Sequence, residues 1–259
     1  MGLILALANQ KGGVGKTTTA VNLAACLGEA GARTLVVDLD PQANATSGLG
    51  ERAGHGSTYD LLDGAPLDEV LGETQFENLE LVPSSPELAG AAVELARRED
   101  GETFLPAALA PARERYDFVF VDCPPALGPL TVNGLAAADG ALVPVQCEYY
   151  ALEGLAQLLH SVDLVRARLN PRLVVAGMIL TMVDARTRLA ADVGAEVRRH
   201  FGELVFDAVV PRSVRLAEAP SHGLPITAYD RASAGADAYY RVAGELVDRA
   251  RSRRVAVAA

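Results

Sequence analysis

The chain has 259 residues, with 33 acidic and 23 basic side chains, a formal charge of −10 and three cysteines. A chain of this length buries most of its apolar surface without disulfides or metals. Cys26, Cys123 and Cys147 are too widely spaced for a disulfide framework or a clustered metal site, which points to a reducing compartment, the cytoplasm. In chain order, the apolar run Leu3–Ala8 reads as a buried strand, too short to span a membrane and unlike a secretory signal. A glycine-rich turn follows, then a helix over 17–31 closed by Gly31, a strand over Thr34–Asp38 and a long surface loop over 41–58 rich in glycine and small polar residues. Next come a strand at Leu79–Val82, helices at 86–97 and 103–115, a strand at Phe118–Asp122 and a helix at 130–138. Strands at Ala141–Gln146, Val174–Thr181 and Leu204–Val210 alternate with helices at 151–169, 188–201 and 235–251. The near-continuous apolar strands fit burial on both faces. The alternation predicts an α/β fold: one three-layer domain over 1–259, a mostly parallel twisted sheet with helices on both faces.

Charge is distributed unevenly along this plan. Only two of the 23 basic residues are lysines, Lys11 and Lys16, five positions apart; the other 21 are arginines. Residues 1–150 carry a balance of −13 and residues 151–259 a balance of +3. The acidic average therefore conceals a half with the sign of an anion-binding surface.

The segment Asn9-Gln-Lys-Gly-Gly-Val-Gly-Lys-Thr-Thr-Thr19 lies between a predicted strand and a predicted helix. That is the context of a phosphate loop, in which glycines let successive backbone N–H groups curl around a phosphate and the helix N-terminus adds partial positive charge. Gly12, Gly13, Val14, Gly15, Lys16, Thr17 and Thr18 are the expected nucleotide contacts. Lys16 is expected to reach the β- and γ-phosphates of ATP, the Thr17 hydroxyl to ligate Mg2+ and Thr18 to hold the α-phosphate. The standard motif has a glycine at position 10; here Gln10 stands there and a second lysine follows at Lys11. Lys11 is poorly placed for phosphates already held by Lys16, and a role across a dimer interface is natural. A lysine kept where arginine prevails elsewhere suggests a site that rejects the planar guanidinium.

Two acidic segments complete the chemistry. Leu35-Val-Val-Asp-Leu-Asp-Pro-Gln42 places Asp38 and Asp40 at a strand end, and two-residue alternation points them the same way, Asp38 toward the metal and Asp40 toward the attacking water. Phe118-Val-Phe-Val-Asp-Cys-Pro-Pro125 is an apolar strand ending in Asp122, a carboxylate expected to hold a water of the Mg2+ shell.

These residues resemble the deviant Walker ATPases of the ParA/Soj type, which partition chromosomes and plasmids. The likeness is carried by Lys11–Thr19, Asp38–Gly50, Asp122–Pro125, Pro144–Gly154 and Val210–Ser221, nearly the whole chain. The short chromosomal branch fits best, because the phosphate loop begins at residue 11. The resemblance implies an ATP-dependent homodimer in which each Lys11 reaches the other subunit's phosphates, with Lys11, Lys16 and Asp40 catalytic. It also implies non-specific binding to double-stranded DNA, and hydrolysis stimulated by a ParB/Spo0J-type centromere-binding partner. Switch I maps onto Asp40–Leu49 and switch II onto Asp122–Leu130. Adenine contacts point to Met182 and Pro211, and DNA contacts to Arg186, Arg188, Arg212 and Arg215, all in the positively balanced half. Association with the nucleoid in the cytoplasm follows.

Three rivals remain at this level. A MinD-like, membrane-cycling ATPase would use the C-terminal tail, but Arg249–Ala259 offers only alanine and valine to insert, so no membrane is expected. An iron–sulfur electron-transfer protein would use Cys123, yet no second cysteine stands near position 90. A small-molecule enzyme that spends ATP on a carboxylate or phosphoryl acceptor would need an acceptor pocket, and none stands out. His55, His160, His200 and His222 are scattered without metal spacing.

Overall fold

The computed structural model describes residues 1–50, 56–98, 101–148 and 151–258, with 253–258 described by backbone alone. Residues 51–55 of the polar loop with His55, Tyr149 and Tyr150 of the Pro144–Gly154 segment, and the tail side chains from Arg253 onward lie outside the described residues.

Seven strands, β1 (Leu3–Leu7), β2 (Thr34–Asp38), β3 (Gly72–Glu73), β4 (Leu79–Val82), β5 (Phe118–Asp122), β6 (Gly140–Gln146) and β7 (Val174–Thr181), form one sheet. Their order is β3-β4-β2-β5-β1-β6-β7. Among the described residues only β3 pairs antiparallel; the other pairings are parallel. Period-two alternation divides each central strand between two cores. Ile4, Ala6, Leu35, Val37, Val119 and Val121 face one apolar layer, and Leu5, Leu7, Val36, Phe118 and Phe120 face the other.

The first layer is covered by α3 (Thr58–Leu62), α4 (Leu67–Val70), α5 (Leu88–Leu95), α6 (Phe104–Ala108), α7 (Ala112–Arg115), α8 (Pro129–Ala137), α9 (Ala151–Arg168) and α10 (Arg188–Phe201). The second is covered by α1 (Lys16–Glu29), α2 (Asn44–Gly48), α11 (Val214–Glu218), α12 (Ile226–Tyr229) and α13 (Ala234–Ala258). Helix α1 lies deep in this layer, with Thr19 through Gly28 all buried, and its chain departs at Gly31 with φ of 87°. No described helix is long and apolar enough to cross a membrane.

The structure departs from the sequence expectation at five places. Leu204–Val210 is not a strand: it begins in a single 3-10 turn at Gly202–Leu204 and touches β7 through one bridge, Met178 with Val205. Phe206 and Val210 donate to the β7 carbonyls of Met178 and Leu180, but the N–H groups of Asp207 and Ala208 between them turn to the Glu245 carboxylate on α13, which breaks the ladder. The helix expected over 103–115 is split, because Pro111 has no N–H to continue it. The long loop after β2 contains α2, whose Ala45, Thr46 and Gly48 are buried. Helix α13 runs to Ala258 rather than 251, and the two-residue β3 is too short for its period to register.

Candidate active site and basic face

The carboxyl ends of β1, β5 and β2 lie side by side, and backbone bonds suture the loops leaving them: Leu39 N–H to the Asp122 carbonyl at 3.0 Å and Cys123 N–H to the Leu7 carbonyl at 3.2 Å. From the end of β1 the chain turns through Gly13 and Gly15, whose φ values of 72° and 91° suit glycine alone. A Cβ at Gly12 or Gly13 would meet nothing within 4 Å, so this side of the turn is open. Val14 anchors the turn, with its side chain buried and its carbonyl accepting the Thr181 hydroxyl at 2.8 Å. No side chain caps α1, which leaves the N–H groups of its first turn free for an anion. Gly12, Gly13, Gly15, Lys16, Thr17, Thr18 and Asp40 all line one cleft of about 660 Å³.

Lys16 is buried, with its ammonium 3.4 Å from the Lys11 carbonyl. Burial lowers its pKa, while the neighbouring Asp122, Cys123 and Asp40 pull it back up. Asp122 lies behind the loop at 0% exposure, and neither of its oxygens makes a hydrogen bond of good geometry. Burial pushes its pKa well up and the Asp38 charge adds to this; the nearby Thr17 hydroxyl and Lys16 ammonium oppose both. A buried carboxylate left unpartnered costs about 1–3 kcal/mol or more. An orphaned carboxylate behind a threonine hydroxyl, beneath an open anion cradle, is the donor set that fits Mg2+ on a nucleoside triphosphate. ATP and Mg2+ therefore fit the residues present.

The two aspartates at the end of β2 part company. The strand ends at Asp38, the Asp40 N–H folds back onto Asp38 Oδ1 at 3.2 Å, and alternation no longer applies. Asp40 turns to the cleft. Asp38 spends its other oxygen on the Thr46 N–H and hydroxyl, at 2.8 and 2.7 Å, pinning α2 to the sheet. Burial raises its pKa and the Thr46 donors oppose the rise. Asp38 stands beside Asp122 on the adjacent strand, as expected of a residue near the metal, but its two oxygens are already engaged by the Asp40 N–H and by Thr46, so Asp38 and Asp40 do not point the same way. Lys11 is not among the cleft-lining residues; its ammonium sits 2.5 Å from Glu148 Oε2, and the Gln146 amide holds the other Glu148 oxygen at 2.6 Å.

An adjoining apolar chamber of about 280 Å³ contains both Met182 and Pro211, together with Leu216 and Tyr239. Met182 adopts φ of 51°, and Val183 pairs with Pro211 in an isolated parallel bridge. Sequence reasoning missed Tyr239, whose hydroxyl lies 3.2 Å from that of Thr19, and the segment from Leu216 to Leu224 that walls the cleft. It also missed Thr46. Cys26, Cys123 and Cys147 are free and buried, and among the described residues no group of three or more metal-ligating side chains occurs.

The Met182–Pro211 junction also assembles basic side chains. Val183 N–H donates to the Val210 carbonyl and Arg212 N–H to the Val183 carbonyl, both at 3.1 Å. The loop carrying Arg186 and the segment carrying Arg212 are thereby joined, with Arg188 opening α10 and Arg215 on α11.

Fold and cleft define a P-loop nucleoside-triphosphate hydrolase of the deviant type, with a second lysine at the head of the loop. The family profile described as an AAA domain matches residues 2–175. The chain is 56% identical to the chromosome-partitioning ATPase Soj of Thermus thermophilus, over 95% of each chain. It is 52% identical to the sporulation initiation inhibitor protein Soj of Bacillus subtilis, over 95% of this chain and 98% of that one. A solved structure from Mycobacterium smegmatis, named as cobyrinic acid a,c-diamide synthase with bound ADP and magnesium, superposes with TM-score 0.84 at 37% identity, covering 97% and 96% of the two chains. The septum site-determining protein MinD of Pyrococcus horikoshii, complexed with Mg-ADP, superposes with TM-score 0.75 at 26% identity, covering 95% and 96%. The chain belongs to the ParA/Soj family of chromosome-partitioning ATPases.

Proposed function

We propose that this chain hydrolyses ATP as a switch for DNA partitioning, dimerising on ATP, binding double-stranded DNA without sequence preference and releasing it after hydrolysis. The observation that carries the reading is the pairing of an open phosphate cradle with Lys16 and the orphaned Asp122 beneath it. Backbone N–H groups from Gly12 to Thr18 bind the phosphates, and the Lys16 ammonium neutralises charge on the β- and γ-groups. The Thr17 hydroxyl, with Asp122 behind it, would hold Mg2+, which when bound would supply further charge neutralisation to the phosphates. Asp40 orients the attacking water from the cleft wall, and Asp38 holds switch I in register through Thr46. Met182 and Pro211 flank the base in the apolar chamber.

Lys11 leaves Glu148 on dimerisation and serves the partner subunit's phosphates. Arg186, Arg188, Arg212 and Arg215 of both subunits then share one DNA face, and doubling the contacts multiplies affinity. A ParB/Spo0J-type partner accelerates hydrolysis, and the protein works in the cytoplasm on the nucleoid. The name of the M. smegmatis structure describes a synthase of a different class, but the 52–56% identity to Soj proteins, against 37% to that chain and 26% to MinD, favours partitioning. The test is the double variant Arg186→Glu with Arg215→Glu. It should lose salt-sensitive retention on DNA and keep ATP-dependent dimerisation by light scattering; unchanged retention refutes the face.

A further inference from the structure

Most of the four arginines do not present a free charge. Arg186 lays Nε and Nη2 on Asp184 at 2.9 and 2.8 Å, and its backbone N–H adds a third bond at 3.0 Å. Arg188 lies 3.6 Å from Asp192. Arg215 is bracketed by Glu218 at 3.1 Å and Asp230 at 3.4 Å, and the Tyr229 hydroxyl steadies Glu218 at 3.2 Å. Arg212 has no carboxylate in ion-pairing contact among the described residues.

The pairs are asymmetric. The Asp184 side chain is 22% exposed while that of Arg186 is 88% exposed. The Thr187 N–H and hydroxyl both close onto the Asp184 carbonyl at 3.0 Å, so the acid sits in a fixed turn and the base is the mobile member. Arg186 hydrogen bonds hold the Asp184 carboxyl down at about 2, so it is ionised across the physiological range. A carboxylate held by two N–H groups takes the edge of the guanidinium fork that a phosphate takes. Exposed pairs of this kind are weak enough for a phosphodiester to displace.

We propose that Asp184 is a built-in competitor of DNA phosphate for Arg186, and Glu218 with Asp230 for Arg215, setting how tightly the ATP-loaded dimer holds DNA and how readily it lets go. This rests on the DNA reading above. Arg212, which makes no close ion pair of its own although the Asp184 charge lies near it, makes the first phosphate contact; Arg186 and Arg215 join by exchanging carboxylate for phosphate. The face is thus tuned toward reversible binding, because each exchange forfeits an intramolecular pair.

The experiment uses the full chain loaded with ATP and Mg2+ and a fluorescent duplex of arbitrary sequence, titrated by anisotropy across a range of KCl concentrations. Asp184→Asn and the double variant Glu218→Gln with Asp230→Asn should each tighten binding by about threefold or more at fixed salt and carry it to higher salt, since each frees one arginine per subunit for phosphate. Asp163→Asn is the control for the first and Asp163→Asn with Asp237→Asn for the second: they make the same charge changes by breaking the Asp163–Arg166 pair on α9 and the Asp237–Arg241 pair on α13, neither of which involves the four arginines. If neither variant tightens binding more than its control, the competition is refuted while the DNA reading stands on the wild-type curve. If ATP-loaded wild type fails to bind and Arg212→Glu changes nothing, the DNA reading falls and the competition with it.

Discussion

Asp122→Asn should make the nucleotide-free protein more stable while destroying its activity. The carboxylate is completely buried with both oxygens unpartnered, and burial together with the Asp38 charge raises its pKa well above the usual carboxylate range. A raised folded-state pKa means that the folded protein binds the proton more tightly than the unfolded chain, whose aspartates titrate near about 3.9. Stability is therefore full below that value and is lost as pH rises through the folded pKa. Asparagine keeps the shape, removes the titration and is no better hydrogen-bonded, so what it returns at neutral pH is the cost of burying the charge less the Lys16 attraction, a net of about 1–3 kcal/mol. That corresponds to a rise in Tm of about 2–4 °C per kcal/mol at this chain length. Thermal melts in EDTA at pH 7.5 should show the gain, and it should shrink steadily as pH falls toward about 4, where wild-type Asp122 is protonated. Phosphate release with ATP and Mg2+ should be lost throughout. A variant no more stable than wild type at pH 7.5, or a gain that does not depend on pH, would refute the reading of Asp122 as an uncompensated charge awaiting a cation.

Two further outcomes separate the roles of the aspartates at the end of β2. Asp40→Ala should cut the rate of phosphate release by about 10²–10⁴-fold and accumulate an ATP-bound dimer by light scattering; an ATP-loaded variant that stays monomeric counts against the shared-interface account. Thr46→Val keeps the side-chain shape but strips one donor from Asp38 and leaves the Ser84 N–H, now 2.9 Å from the Thr46 hydroxyl, without an acceptor. Unfolding in urea should show a loss of about 2–4 kcal/mol, and a change under about 0.5 kcal/mol would mean that this network does not secure α2.

Elements whose signal is local were legible in the sequence. The runs Thr34–Asp38, Leu79–Val82, Phe118–Asp122 and Val174–Thr181 coincide with strands because continuous apolar residues have no other way to be buried between two helical layers. The phosphate loop was legible because strand, glycines, lysine and helix are contiguous. Helix α2 was not, because Asn-Ala-Thr-Ser-Gly has poor helix propensity and is held by a tertiary bond from Thr46 to Asp38. Tyr239 could not be placed near Thr19 from sequence, since 220 positions separate them. Lys11 and Glu148 are likewise 137 apart, so their pairing emerges only from the fold. Leu204–Val210 has the composition of a strand, but Glu245 captures two of the N–H groups that the ladder needed.

The partition account turns on nucleotide control of DNA binding. Retention of the wild-type chain on double-stranded DNA, compared with ATP and Mg2+, with ADP and Mg2+, and with no nucleotide, tests it most directly. The account predicts salt-sensitive retention with ATP and little with ADP or none. Equal retention in all three states, or no retention with ATP, would contradict it.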